Sequence, residues 1–377
     1  MKEHFSLALE STPGRFHFAA HSHHLWPDCT LGAQVQAWQD AASLADVKWE
    51  KVFGEVIPAV QQGIARHLNL PDPKTIVFAP NTHEFVLRLL SCLPADRPAR
   101  ILTTDSEFYS FRRQTQRLAE DGLVELTIIP AEPHGTFAER FVAAGTDFDL
   151  VFFSQVFFNS GFAVRNLAQI VQAFAEPTMV VIDGYHGYFA VPTDLSQVAS
   201  RAFYMAGGYK YAMSGEGACF LHCPPGQALR PRNTGWFAEM DSLAAAKTGQ
   251  VDYASDGFRM AGATFDPSGL YRMRAVLDWV QASGGSVSTY HSHAKRLQAR
   301  FLAGLAHPAL GEAQLVVPSI ELSRGNFLTF QTPHASELYY FLRGHGVITD
   351  TRGDRLRFGF GIYQDESDVD HLLALLR

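Results

Sequence analysis

Short apolar runs recur through the first two-thirds of the chain, and most are followed by a stretch with helical spacing. Residues 76–78, 100–104, 124–129, 149–153, 179–182, 202–206 and 217–222 read as strands. Helical patterns cover 27–45 and 61–70, and Pro71-Asp72-Pro73 breaks the second. Phe85, Val86, Leu89, Leu90 and Leu93 mark one apolar helix face, and another helix spans 111–121 until Gly122 stops it. A further helix is expected after Gly161, to about residue 175. This alternation predicts an α/β fold with a mostly parallel sheet and right-handed crossovers.

The pattern changes after Pro224-Pro225-Gly226. Residues 226–269 are irregular, and helices follow over 268–282 and 287–305. Strands at 327–331, 347–349 and 356–360 surround a helix over 335–342, and an acid-started helix over 365–376 ends the chain. The expected organisation is a large unit over 26–265 and a smaller α+β unit over 266–377, with an arm over 1–25 packing on the smaller one.

Composition narrows the class. The chain has 377 residues, 47% of them hydrophobic and 18% charged, which suits a soluble protein with more than one core. A net charge of −7 without a Lys/Arg-rich run argues against nucleic acid. No apolar stretch has membrane-spanning length, and Met1-Lys2-Glu3-His4 does not begin a signal peptide. Cys29, Cys92, Cys219 and Cys223 are sparse, as expected of a reduced cytoplasmic protein. No metal site is expected. Cys219 and Cys223 lack further ligands, and His21, His23 and His24 have no acid at ligand spacing. Those histidines read as a loop over an active site or as a structural arm.

Candidate chemistry concentrates in residues 180–211. One strand ends on Asp183, with His186 three residues later, and the next leads into Gly207-Gly208-Tyr209-Lys210. An acid and a lysine after neighbouring strands predict a site at the carboxyl ends of the sheet, where open α/β sheets bind ligands. Asn81 or Thr82 caps the helix after the first strand, which makes that helix start a candidate phosphate site beside His83. Lys210 as the attachment point of pyridoxal phosphate (PLP), with Asp183 facing the pyridine nitrogen, unites these features.

The Asp183-x-x-His186 pair followed by Gly-Gly-Tyr209-Lys210 resembles the class V aminotransferase superfamily of fold type I PLP enzymes, and kynureninase more closely. Gly235-Trp236-Phe237, Gly262-Ala263-Thr264 and the tail from Gly346 through Arg352 and Arg357 extend that resemblance along nearly the whole chain. It implies a mostly parallel seven-stranded sheet between helices, a smaller C-terminal domain, and a homodimer with shared active sites. It also implies roles. Lys210 holds PLP and takes the substrate α-proton, Asp183 pairs with the pyridine nitrogen, and His186 lies beside it. Tyr209 bonds the phosphate and relays a proton, Asn81, Thr82 and His83 serve the phosphate side, Ser110 belongs to the cofactor site, and Phe108 stacks on the ring. Trp236 and Thr264 complete the phosphate site across the dimer interface, and Arg357 binds the substrate carboxylate.

Three segments depart from the kynureninase pattern: His21-Ser22-His23-His24, Tyr109-Ser110-Phe111 and Phe157-Phe158-Asn159. The second lacks an acid that the family carries near the cofactor. The implied reaction is hydrolysis of the β,γ carbon–carbon bond of L-kynurenine or a related γ-keto amino acid, as in tryptophan catabolism. A class V aminotransferase or another PLP lyase is the alternative. A cysteine desulfurase is disfavoured, because no cysteine follows Cys223. A cofactor-free binding protein is disfavoured, because Lys210, Asp183 and Arg357 are all present.

Overall fold

The computed structural model describes residues 1–242, 249–318 and 323–377. The strands, in chain order, are β1 (Phe16–His17), β2 (Ile76–Ala79), β3 (Ala99–Thr104), β4 (Val124–Ile129), β5 (Leu150–Ser154), β6 (Met179–Asp183), β7 (Ala202–Gly207), β8 (Cys219–His222), β9 (Phe327–Gln331), β10 (Val347–Ile348), β11 (Asp350–Arg352) and β12 (Arg355–Gly359). Seven form the central sheet, in the order β2-β8-β7-β6-β5-β3-β4. The neighbouring pairs from β7 to β4 are all parallel, and β8 is antiparallel to both of its neighbours.

The inner strands are apolar almost throughout because helices cover both faces. In β6, Val180 and Ile182 enter one core while Met179 and Val181 enter the other. A third core joins Phe18, Leu297, Phe301, Phe330, Leu356 and Phe358 around the antiparallel sheet β11-β12-β9. The N-terminal arm meets this part of the molecule, with β1 pairing parallel to β10.

Several elements differ from the sequence reading. The segment before Gln61 is also helical: a 3₁₀ turn, Ala45–Val47, leads from the helix Cys29–Leu44 into Lys48–Lys51 and a π-helical turn, Val52–Val56. The helix expected to reach residue 175 shrinks to Leu167–Gln172. Ahead of it, the chain makes a loop whose buried Phe157 and Phe158 turn inward, with Gly161 at a φ of +80°. The expected strand over 347–349 is β10, and a further short strand, β11, follows it with a different partner. The helix Ser268–Ala282 packs on Cys29–Leu44 and Ile57–Leu68, and Leu270, Met273, Val276 and Leu277 join the core of the large unit. Of the irregular stretch 226–269, residues 243–248 lie outside the described residues. No helix among the described residues is long and apolar enough to cross a membrane.

Candidate active site

β6 and β7 lie side by side, so their carboxyl ends bring Asp183 and the Lys210 loop together. Asp183 is half-buried, and its Oδ1 accepts a hydrogen bond of 2.9 Å from the Tyr185 amide. β7 ends at Gly207, and the chain then turns through Gly208, where a Cβ would stand 2.3 Å from Ser214 Oγ. Only glycine fits that turn, and the turn buries Lys210 to 5% exposure. Lys210 Nζ lies 4.2 Å from the Tyr185 ring centroid, 5.1 Å from Tyr209 and 5.3 Å from Phe108. Burial lowers the Lys210 pKa to about 7, with the nearby Asp183 carboxylate opposing the shift. Burial raises the Asp183 pKa, and the Tyr185 amide and the Lys210 charge oppose it. His186 is buried beside them, and burial with the Lys210 and Arg357 charges keeps its imidazole neutral.

A cavity of about 740 Å³ adjoins this pair and is lined by Asn81, Thr82, His83, Phe108, Ser110 and Tyr209. The helix Thr82–Leu90 starts on it, capped by a 3.1 Å bond from the Glu84 amide to Asn81 Oδ1. A helix N-terminal turn facing a cavity favours an anion, through its free amides and the helix dipole. His83 Nδ1 is buried without a hydrogen-bond partner among the described residues. A buried lysine, an acid at the end of the adjacent strand, a capped helix start with His83 Nδ1 unpartnered among the described residues, and a nearby aromatic fit PLP in their chemistry.

Arg357 stands in β12 at 3% exposure, directly across from Asp350 of β11. Its Nη2 bonds Asp350 Oδ2 and its Nη1 bonds the Phe158 carbonyl, while Nε has no partner among the described residues. Asp350 Oδ1 also accepts 2.7 Å from Arg352 Nη1. Trp236 and Thr264 do not join this group. They sit on exposed, mutually packed loops, Trp236 at 47% exposure, linked by a 3.1 Å bond from the Phe237 amide to the Gly262 carbonyl.

The three clustered histidines have separate fates. His24 is buried and bonds the Leu25 carbonyl at 2.7 Å. His23 is exposed and stacks on Tyr209 at 4.8 Å. His21 is fully buried beside Asp350. Sequence reasoning also missed Glu107, the acid immediately before Phe108. Its carboxyl is buried and bonded by Thr104 Oγ1 at 2.7 Å, Ser154 Oγ at 2.6 Å and the Ser154 amide at 3.1 Å. Burial raises its pKa to about 8, with Asp183 adding to the rise and those donors opposing it. The signal was available: the acid absent after the stacking aromatic is present one residue before it. No cluster able to hold a metal occurs among the described residues.

Fold and site together define a PLP-dependent enzyme of fold type I. The class-V aminotransferase family profile matches residues 34–372, so the chain belongs to that family, and PLP is its cofactor. Isopenicillin N epimerase from Streptomyces clavuligerus is 26% identical over 332 residues, which cover 81% of this chain and 80% of that protein. Cysteine desulfurase IscS from Acinetobacter baumannii is 24% identical over 316 residues, covering 81% and 77%. Among solved structures, the cystine C–S lyase C-DES in complex with its product cysteine persulfide has a TM-score of 0.84 at 20% identity, over 98% of both chains. The Escherichia coli cysteine desulfurase CsdA has a TM-score of 0.80 at 17% identity, over 98% and 97%. These relatives share the superfamily, fold and cofactor expected from the sequence, but they are not kynureninases.

Proposed function

We propose that the chain is a PLP-dependent lyase that acts on a free α-amino acid and expels a group from its β-carbon. The observation that carries this reading is Lys210, buried beside Asp183 of the adjacent strand and next to a helix-start anion site. When bound, PLP supplies the electron sink that stabilises charge at the substrate α-carbon. Lys210 Nζ, whose pKa of about 7 leaves much of it neutral near neutrality, takes the α-proton. Asp183, at the end of β6, would pair with the pyridine nitrogen and favour its protonated form, with His186 buried nearby. Thr82, the His83 amide, Asn81, Ser110 and Tyr209 serve the phosphate, and Phe108 covers the ring. Arg357, buried with its Nε unpartnered among the described residues, binds the α-carboxylate. Trp236 and Thr264, exposed in one chain, complete the phosphate site of a second copy in a homodimer.

The cysteines favour elimination over desulfuration. Burial raises the pKa of Cys29 and Cys219 to about 11 and of Cys92 to about 12, and pushes Cys223 higher still. None stands beyond Cys223 to take sulfur from the small unit's side. In elimination the Cα–H and Cβ–S bonds break, a Cα=Cβ double bond forms, and the sulfur group leaves with its electron pair. Water then releases the amino group, giving a keto acid and ammonia. A kynureninase-like C–C hydrolysis is the second reading, favoured by the aromatic wall near Arg357. There Phe158 lies 5.7 Å from Phe108 and 5.4 Å from Tyr109. Purified holoenzyme is to be tested with L-cystine, L-kynurenine and 3-hydroxykynurenine, and with amino acids plus keto acids. Pyruvate and ammonia from cystine are expected. Alanine and an aromatic acid from a kynurenine would move the assignment to the second reading, and amino-group exchange alone would contradict both.

A further inference from the structure

The residue expected to bind the substrate carboxylate already holds one. Asp350 Oδ2 sits on Arg357 Nη2, and its other oxygen, Oδ1, sits 2.7 Å from Arg352 Nη1. A buried guanidinium without a counter-charge is costly, so Asp350 stabilises the empty site. The same pairing obstructs an arriving carboxylate, unless Asp350 has somewhere else to go.

His21 provides that place. Its Nε2 lies 3.7 Å from the same Asp350 Oδ2, too far for a hydrogen bond. Both His21 ring nitrogens are fully buried, and neither has a hydrogen-bond partner among the described residues. A buried polar group left without a partner is rare and unfavourable, so this one needs a reason. The ring has little freedom to find a partner. It stacks on Phe327 at 4.6 Å and 19°, and Nδ1 lies against Gly359, where a Cβ would stand 2.3 Å from it. Asp350 is the group able to move. Closing that gap by about 1 Å would make the His21 hydrogen bond through Oδ2, while the other oxygen, Oδ1, faces Arg352. Burial, with the nearby Arg357 and Lys210 charges, holds His21 neutral, so one ring nitrogen carries a proton to donate.

We propose that Asp350 occupies Arg357 as a stand-in for the substrate carboxylate, and that it transfers to His21 when the carboxylate binds. This inference rests on the reading of Arg357 as the carboxylate-binding residue. Asp350 and His21 are then positioning residues that set how strongly a ligand must present a carboxylate. A carboxylate able to displace Asp350 is held, and an amine without one leaves the original pair closed.

The test is acetate and glycine binding to the holoenzyme by isothermal titration calorimetry, with circular dichroism and thermal melting to establish folding. His21→Phe keeps the stacking but removes the donor, and should weaken both ligands about tenfold. His21→Gln, which retains an N–H donor, should recover most of that loss. Asp350→Asn removes the competing charge and should tighten both ligands about tenfold, and His21→Phe should have no further effect in that background. Unchanged affinity in His21→Phe, or weaker binding in a folded Asp350→Asn, would overturn the exchange. Arg357→Lys separates the underlying reading. If it binds acetate and glycine as the native protein does, Arg357 is not the carboxylate site and both ideas fall. If it weakens them while the His21 variants do nothing, only the exchange falls.

Discussion

Lys210 and Asp183 were legible as residues because chemistry, order and strand ends coincide in one short stretch. Glu107, Asp350 and His21 were not given roles, since each acquires meaning only from what packs beside it. Glu107 leads to a pH prediction. Its folded pKa of about 8 exceeds the usual carboxyl value of 4.5, so the folded chain keeps a proton that the unfolded chain releases. Glu107 therefore favours folding at low pH, and that contribution fades as pH rises through the window to about 8. Lys210, lowered to about 7, acts in the opposite direction above that pH, as the unfolded chain keeps the proton. Urea unfolding of the cofactor-free protein at pH 5 and pH 7 should show a loss attributable to Glu107. Glu107→Gln should remove that part of the slope. An identical slope in the variant would mean that Glu107 stays ionised.

The inner strands of the central sheet, such as β5 and β6, were found from their apolar runs, because both faces are covered there, whereas edge strand β4 carries Glu125 and Thr127 and was found from its remaining apolar positions. The antiparallel direction of β8 could not be read, since an apolar run has no direction. The helical segment before Gln61 was missed because the Val52–Val56 π turn shifts the 3.6-residue period there. The helix Thr82–Leu90 was clear from its Asn81 cap and apolar face, and it carries the second prediction. Asn81→Ala removes the bond to the Glu84 amide and should cost about 1 kcal/mol of stability. It should also weaken PLP binding by loosening the helix start, which equilibrium dialysis of PLP would measure. A variant with lower stability but native PLP affinity would separate this helix from the phosphate.

At the scale of the molecule, the sequence showed two kinds of organisation, a parallel sheet and a smaller α+β region. The helix Ser268–Ala282 follows the irregular stretch in sequence and packs on the helices Cys29–Leu44 and Ile57–Leu68, a long-range contact that an apolar helix face does not announce. The homodimer is a proposal that mixing can test. Lys210→Ala and Trp236→Ala, each inactive alone, should regain about a quarter of native activity after subunit exchange. Half of the dimers are then mixed, and one of their two sites is intact. No recovery, despite subunit exchange verified by native mass spectrometry, would mean that Trp236 acts within its own chain or only structurally. Everything proposed for the site depends on PLP being bound to Lys210. Borohydride reduction of the holoenzyme followed by peptide mass mapping tests it most directly. The account predicts the cofactor fixed to the peptide carrying Lys210, and none retained in Lys210→Ala. PLP fixed to any other lysine, or none fixed to the native protein, would contradict it.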